Sequence, residues 1–150
     1  MAGKWWLAAG AFFGFTSVAL GAFGAHGLAR AIPQWDLSVQ EQQQRLDNWE
    51  VAARYQMYHA LALMGVGLIL QTSPRRLLNA AAAAFCAGVP IFSGCLYAYV
   101  LTGARAWAMV VPIGGVLLLL GWLGLLLGVL LPSPRVGAAG SLRAGETTTS

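Results

Sequence analysis

Two histidines are the side chains in this sequence best suited to chemistry. His26 lies in GAFGAHGL at residues 21–28, and His59 lies in YQMYHALAL at residues 55–63. Imidazole can ligate a metal or haem, transfer a proton, or form hydrogen bonds. Zinc needs three or four ligands, and a haem held by two histidines would need further signatures that the sequence lacks. We therefore predict no metal and no cofactor.

The other reactive side chains do not complete a catalytic set. Ser93 could pair with His59 as a nucleophile, but the apolar part of the chain offers no acid to orient the histidine. Cys86 and Cys95 are nine residues apart on one predicted helix and point to opposite faces, so they cannot form a disulfide with each other. We predict no catalytic residue; a small membrane enzyme or redox subunit that uses His26 and His59 remains the alternative.

The composition predicts a membrane protein. Hydrophobic residues make up 58% of the chain and charged residues 9%, whereas a soluble domain carries about 25% charged residues. The charges lie outside four uncharged runs, each long enough for a helix that crosses the bilayer. The first run is too long for the apolar part of a signal peptide. The fold class is therefore all-α, an integral membrane four-helix bundle, with helices at about 5–28, 55–71, 77–101 and 106–131.

The polar connection at residues 30–54 contains its own helix signal. Pro33 ends the first helix, and the sequence SVQE at residues 38–41 is a capping box. We predict an amphipathic helix at about 39–53 that lies on the membrane surface or covers the bundle. The tail, residues 132–150, is rich in Gly, Ala, Ser and Thr and is predicted to be disordered.

Polar side chains of the helices collect at one predicted depth, near the end where the first helix leaves the membrane. One interpretation is a polar recess toward the outer face. The other is that these groups lie at the interface or join helices through hydrogen bonds. The residues concerned are His26, Tyr55, Gln56, His59, Ser93 and Tyr97.

Small residues at helical spacing predict close helix packing. The glycines concerned are Gly10, Gly14, Gly21, Gly114, Gly115, Gly124 and Gly128. An arginine pair, Arg75 and Arg76, lies in a short turn on the same side as both termini, and the positive-inside rule then favours cytoplasmic termini in a multi-pass plasma (inner) membrane protein. The net charge of +4 comes without a dense basic block, so no nucleic acid partner is expected.

Four motifs occur in register along the predicted helices: GAFGAHGL; YQMYHALAL, which follows Trp49; FSGCLY at residues 92–97; and PIGG with GW, at residues 112–115 and 121–122. Together they resemble the YgdD/YwdK family of small bacterial inner-membrane proteins of unknown function, to which eukaryotic transmembrane protein 256 is similar. The resemblance covers about residues 10–131. It implies a four-span inner-membrane protein and no particular reaction. The longer connection and the tail depart from the family pattern.

These observations leave three functional hypotheses. The first is a small binding or accessory module in the lipid bilayer, whose recess holds a lipid headgroup, a quinone or a partner membrane protein. The second is the enzyme or redox subunit described above. The third is a purely structural helper of a larger complex, held through its glycine faces to a membrane-protein partner or to a second copy of itself.

Overall fold

The structure, a computed structural model, describes residues 2–131, and all the regular elements in this range are helical. The fold class is therefore all-α, as predicted. The helices form four long rods, which is the predicted number of main helices. Two π turns join shorter helices into longer rods. The predicted disordered tail lies outside the described residues. The elements are α1 (Ala2–Phe23), the first π turn (Gly24–Leu28), α2 (Ala29–Ala31), a 3-10 turn (Ile32–Gln34), α3 (Val39–Thr72), α4 (Arg76–Val89), the second π turn (Pro90–Gly94), α5 (Cys95–Thr102) and α6 (Arg105–Leu130).

Three of the four rods are long and apolar enough to cross a membrane: Gly3–Gln34, Arg76–Thr102 and Arg105–Leu130. α3 is not among them, because polar side chains continue along it as far as His59. Large apolar side chains such as Phe15 and Leu119 are exposed on the outside of the rods. Contiguous apolar surface of this kind suits lipid and not water.

The predicted separate surface helix is not confirmed, because α3 is one continuous helix from Val39 to Thr72. Its start follows the predicted capping box: the Glu41 backbone N–H donates to the Ser38 hydroxyl at 3.3 Å, and the Ser38 N–H donates to the Glu41 carboxylate at 3.0 Å. No proline or glycine follows until Gly65, so nothing breaks the backbone ladder. At 1.5 Å per residue α3 is about 50 Å long, and it therefore exceeds the ~30 Å hydrocarbon core.

The rods follow one another in a row, and the predicted compact bundle is not confirmed. α1 packs against α3 and also touches α4, where the Trp6 indole donates to the side-chain oxygen of Asn79 at 2.7 Å. α3 packs against α4 and α5, and α4, the second π turn and α5 pack against α6. Between α6 and either α1 or α3, the described residues make few contacts or none. The rod formed by α4 and α5 therefore contacts the other three rods, and a furrow opens between α3 and α6.

Two arginines fix opposite ends of the row. Arg45 donates to the carbonyl of Val100 at 2.7 Å, near the end of α5. Arg75 donates to the carbonyls of Gly128 and Leu131 at 2.8 Å each, at the end of α6. The last carbonyls of a helix have no partner within it, so each guanidinium satisfies groups that would otherwise need water.

Four of the seven predicted packing glycines lie at close helix crossings. A Cβ on Gly10 would lie 2.8 Å from the carbonyl oxygen of Ala60, and one on Gly124 would lie 3.1 Å from the Cβ of Ala81. A Cβ on Gly114 would overlap the backbone of the second π turn. Gly128 faces Leu78 in the same way. These crossings join α1 to α3 and α4 to α6.

The other three predicted glycines have room around them. A Cβ at Gly14 would meet nothing within 4 Å, and those at Gly21 and Gly115 would make ordinary van der Waals contacts. Sequence reasoning missed Gly121 on α6, where a Cβ would lie 2.6 Å from the ring of Phe85. Gly114, Gly121, Gly124 and Gly128 thus form one smooth face of α6 that lies against α4 and the second π turn.

Candidate functional site

Gln56, in the middle of α3, joins three rods through its side chain. Its amide nitrogen donates to the carbonyl of Phe13 at 2.9 Å and to the hydroxyl of Thr16 at 2.7 Å, both on α1. Its amide oxygen accepts from the hydroxyl of Tyr97 on α5 at 3.1 Å. Only 5% of Gln56 is exposed. The amide therefore has its hydrogen-bonding capacity used inside the protein.

Three further side chains form hydrogen bonds between rods at nearby levels. Ser17 donates to the carbonyl of Ala53 at 2.8 Å, and Ser93 donates to the carbonyl of Ala52 at 2.8 Å. The indole of Trp49 donates to the carbonyl of Leu20, also at 2.8 Å. Such bonds connect helices where no water competes for the donors.

The second π turn places Ser93 for this bond. Pro90 begins the turn, lacks a backbone N–H and cannot continue an α-helical ladder. The turn accommodates an extra residue, which changes the direction of the side chains that follow. Ser93 is 1% exposed and faces α3. Sequence reasoning did not predict the π geometry at Pro90.

Within residues 2–131, no enclosed side-chain nitrogen or oxygen lacks a hydrogen-bond partner. Gln56, Ser93 and Tyr97, three of the six residues assigned to a polar recess, are bonded to neighbouring rods. Their geometry corresponds to the second interpretation of the sequence, in which the polar groups hold helices together.

An apolar groove of about 780 Å³ lies between α3 and α6, with the second π turn at its base. We call it the α3–α6 groove. Aromatic rings form much of its wall: Tyr55 stacks on Phe92 with ring centroids 5.1 Å apart, and Trp122 stands on the opposite side. It is lined by Tyr55, Tyr58, His59 and Leu61 of α3, Phe92 of the second π turn, and Pro112, Gly115, Val116, Leu118, Leu119 and Trp122 of α6.

His59 is the titratable group at the back of this groove. It is 5% exposed, and its ring lies 5.7 Å from that of Phe85 and 6.1 Å from that of Trp122. Its Nδ1 lies 2.7 Å from the carbonyl oxygen of Tyr55, one helical turn earlier. A carbonyl only accepts, so Nδ1 carries the proton, and in a neutral imidazole Nε2 is then left with its lone pair.

The structure does not bring His26 to this groove. His26 is exposed on the first π turn, between the buried residues Gly24 and Leu28. Gly24 lies against the indole of Trp49, and a Cβ there would overlap the indole ring. His26 therefore belongs to the crossing of the first rod with α3, and His59 belongs to the opposite side of α3.

Of the six predicted recess residues, the structure places two on the groove: Tyr55, which is 42% exposed, and His59. Sequence reasoning missed Tyr58, Phe92 and Trp122 as lining residues. The aromatic spacing of Tyr55 and Tyr58 on one helix face was the available signal for the first of these. No local pattern links Trp122 to a helix two rods earlier in the chain.

Metal ligands do not cluster in the part of the chain that the structure describes. No three His, Cys, Asp or Glu residues there are placed to share an ion. Cys86 and Cys95 lie on α4 and α5 as free thiols. With one imidazole and aromatic walls, the groove is suited to hold an apolar molecule by contact area and one hydrogen bond.

The chain is similar to known membrane proteins over most of its length. A UPF0382 membrane protein of Staphylococcus aureus (strain bovine RF122 / ET3-1) is 41% identical over 124 residues, which are 83% of this chain and 93% of that protein. The UPF0382 inner membrane protein YgdD of Escherichia coli (strain K12) is 33% identical over 131 residues, 87% of this chain and 92% of that protein. No solved structure matches the chain significantly.

A family model described as a protein of unknown function (DUF423) matches residues 20–115. This range includes the first π turn, all of α3, the second π turn and the start of α6. The resemblance expected from the four motifs is thus confirmed, and so is the membrane character of the chain. This chain belongs to the DUF423 (UPF0382) family of membrane proteins of unknown function.

Proposed function

We propose that the protein is an inner-membrane binding module whose α3–α6 groove takes up a lipid-soluble small molecule from the bilayer. The observation that carries this proposal is the groove itself: about 780 Å³, within the size range of small-molecule sites. Its walls are apolar and aromatic, and it opens sideways because α6 does not close onto α3. A molecule dissolved in lipid can enter it without crossing water.

The polar groups of the neighbourhood support a binding role more than a catalytic one. Gln56, Ser93 and Tyr97 are engaged in bonds between rods, so they stiffen the wall and do not meet the ligand. The redox alternative required both histidines on one cofactor, and His26 is exposed on another rod. Binding energy in this groove comes from buried apolar area, at about 25 cal/mol per Å².

We further propose that α3 completes four membrane spans and that both termini face the cytoplasm. The support is the short turn that holds Arg75 and Arg76 together, with Lys4 at the same end of the row. Four arginines lie at the other end with the described acidic residues, and two of them are engaged there: Arg45 bonds to the Val100 carbonyl and Arg54 pairs with Glu50. Polar residues on α3 at membrane depth are acceptable where neighbouring rods cover them. Reporter fusions before residue 2 and in the turn near Arg105 test this orientation. Equal cytoplasmic signal from both would contradict it.

The groove is tested by filling it. Gly115 lines it, and a Cβ there makes only ordinary contacts, at 3.8 Å or more from the ring of Phe92. Gly115→Leu should therefore occupy the groove without forcing α6 off α4. Gly14→Leu is the matched control, because a Cβ there meets nothing within 4 Å.

We expect apolar molecules extracted from the purified wild-type protein and from Gly14→Leu to be the same by mass spectrometry. Gly115→Leu should lose a specific component of that set. If all three preparations carry the same molecules in the same amounts, the groove is not a small-molecule site. A protein crosslink from a photoreactive side chain at Val116 would instead identify a partner helix as its occupant.

A further inference from the structure

We infer that the ligand of the α3–α6 groove is a lipid-soluble alcohol or phenol, which donates its hydroxyl hydrogen to Nε2 of His59. This inference rests on the proposed binding function and specifies the chemistry of the molecule bound. It follows from the hydrogen bonding of the His59 imidazole. The nitrogen that carries the proton is a donor and the other is an acceptor, and this determines whether a ligand must donate or accept a hydrogen bond.

The first step is the tautomer of His59. Nδ1 lies 2.7 Å from the Tyr55 carbonyl oxygen, which carries no hydrogen. Nδ1–H is therefore the donor of this bond. The rings around His59 belong to Tyr55, Phe85 and Trp122, and none of them carries an opposite charge. A neutral imidazole with Nε2 as a pure acceptor is the form that this apolar setting favours.

The second step is the accessibility of Nε2. Only 5% of His59 is exposed. Its Nε2 has no hydrogen-bond partner among the described residues. Yet no fully enclosed side-chain nitrogen or oxygen in that part of the chain is without a partner. Nε2 must then belong to the small part of His59 that remains open, and His59 lines the groove.

The third step is the match between donor and acceptor. In lipid, an acceptor without a partner loses a bond that water would otherwise supply. A ketone, an ether or an ester in the groove brings only acceptors and leaves Nε2 unpaired. A hydroxyl brings the missing donor. The aromatic walls formed by Tyr55, Phe92 and Trp122 suit a flat or chain-like apolar body behind that hydroxyl.

The test uses two probes that differ in this one hydrogen: 4-octylphenol and 4-octylanisole, its methyl ether. Each is titrated by calorimetry into the purified protein in detergent, and Gly115→Leu supplies the background from partition into micelles. We expect the phenol to bind about three to ten times more tightly than the ether, since a net hydrogen bond is worth about 0.5–1.5 kcal/mol. In His59→Phe the ratio should fall to about one while both probes still bind. In Tyr58→Phe, which removes a different polar group of the groove, the ratio should persist.

The outcomes separate the two proposals. If both probes bind equally to the wild-type groove and Gly115→Leu abolishes both, the groove binds apolar molecules but His59 does not select donors, and this inference is wrong. If neither probe binds above the Gly115→Leu background, the proposed binding function is wrong as well. If the phenol preference survives in His59→Phe, another group accepts the hydroxyl and the role assigned to Nε2 is overturned.

Discussion

Replacing Gln56 by Leu should destabilise the row of rods more than any other single polar-to-apolar change on α3. Leu has nearly the same volume, so the change removes hydrogen bonds with little effect on packing. Three bonds are lost: two to Phe13 and Thr16 on α1, at 2.9 and 2.7 Å, and one from Tyr97 on α5, at 3.1 Å.

The magnitude follows from which partners are left without a bond. The Thr16 hydroxyl keeps its own bond to the carbonyl of Phe12 at 2.9 Å. The Tyr97 hydroxyl has no other hydrogen bond among the described residues. Bonds between membrane helices are worth about 0.6 kcal/mol on average, so three give roughly 2 kcal/mol. The stranded Tyr97 hydroxyl adds a desolvation cost of about 1–3 kcal/mol. We expect a total loss of about 3–5 kcal/mol in the free energy of unfolding.

A double-mutant cycle with Tyr97→Phe measures the coupling. Tyr97→Phe alone should cost about 1 kcal/mol, and the double variant should be about 1–2 kcal/mol more stable than the sum of the single changes predicts. Unfolding in mixed micelles, followed by circular dichroism, gives the free energies. Gln44→Leu, at an exposed position on α3, is the control for added apolarity. If Gln56→Leu unfolds within about 0.5 kcal/mol of Gln44→Leu, or if the cycle is additive, the network does not hold the rods together.

Three further predictions concern packing and helix ends. Gly121→Ala places a Cβ 2.6 Å from an aromatic ring of α4 and should lower the free energy of unfolding by about 1–3 kcal/mol. Gly115→Ala should leave that free energy unchanged or raise it by up to about 1 kcal/mol. Arg75→Ala should speed amide hydrogen exchange in the last turn of α6, because it removes two bonds to carbonyls there, and Arg76→Ala should not. The capping serine hydroxyl lowers the pKa of Glu41 from its ordinary value of 4.5. Protection of the first-turn amides of α3 should therefore hold above pH 4.5 and be lost as the pH falls through the lowered pKa. Protection, measured against the exchange rate of an unstructured chain at the same pH, that stays constant across that range would contradict the capping role.

Hydropathy and local sequence signals were sufficient to predict the four helical rods. The charge-free runs predict four main helices and an all-α fold, and four helical rods are present. The capping box at Ser38 correctly predicts where α3 begins. These features depend on residues close together in sequence, where propensity, capping and hydrogen bonding act on the same few turns.

The division of α3 into a surface helix and a membrane helix was wrong for a physical reason. The break was placed near Arg54, where the hydropathy changes. Hydropathy reports the solvent around a helix, whereas helix continuity depends on the backbone. Residues between Val39 and Gly65 include neither glycine nor proline, so the helix continues from one environment into the next.

The polar recess was predicted from depth along the membrane, and depth alone cannot give the direction of a side chain. Gln56 and His59 lie within one turn of each other, yet Gln56 bonds to α1 and α5 while His59 faces α6. Which neighbour each one meets depends on the order of the rods. That order comes from contacts between residues far apart in the sequence, which periodicity does not report.

Both π turns lie where the first and third rods meet the polar part of α3. This placement explains why His59 is the histidine whose Nε2 remains open to a ligand. The first π turn sets Gly24 against Trp49, and the second aims Ser93 at the Ala52 carbonyl. Together with Gln56, these contacts use the polar groups of α3 that face its neighbours. His59 faces the open side, where no rod supplies a donor to Nε2. The fold satisfies its enclosed polar groups from within and leaves Nε2 of His59 open to the groove without a donor, which is the bond that the proposed hydroxyl ligand would supply.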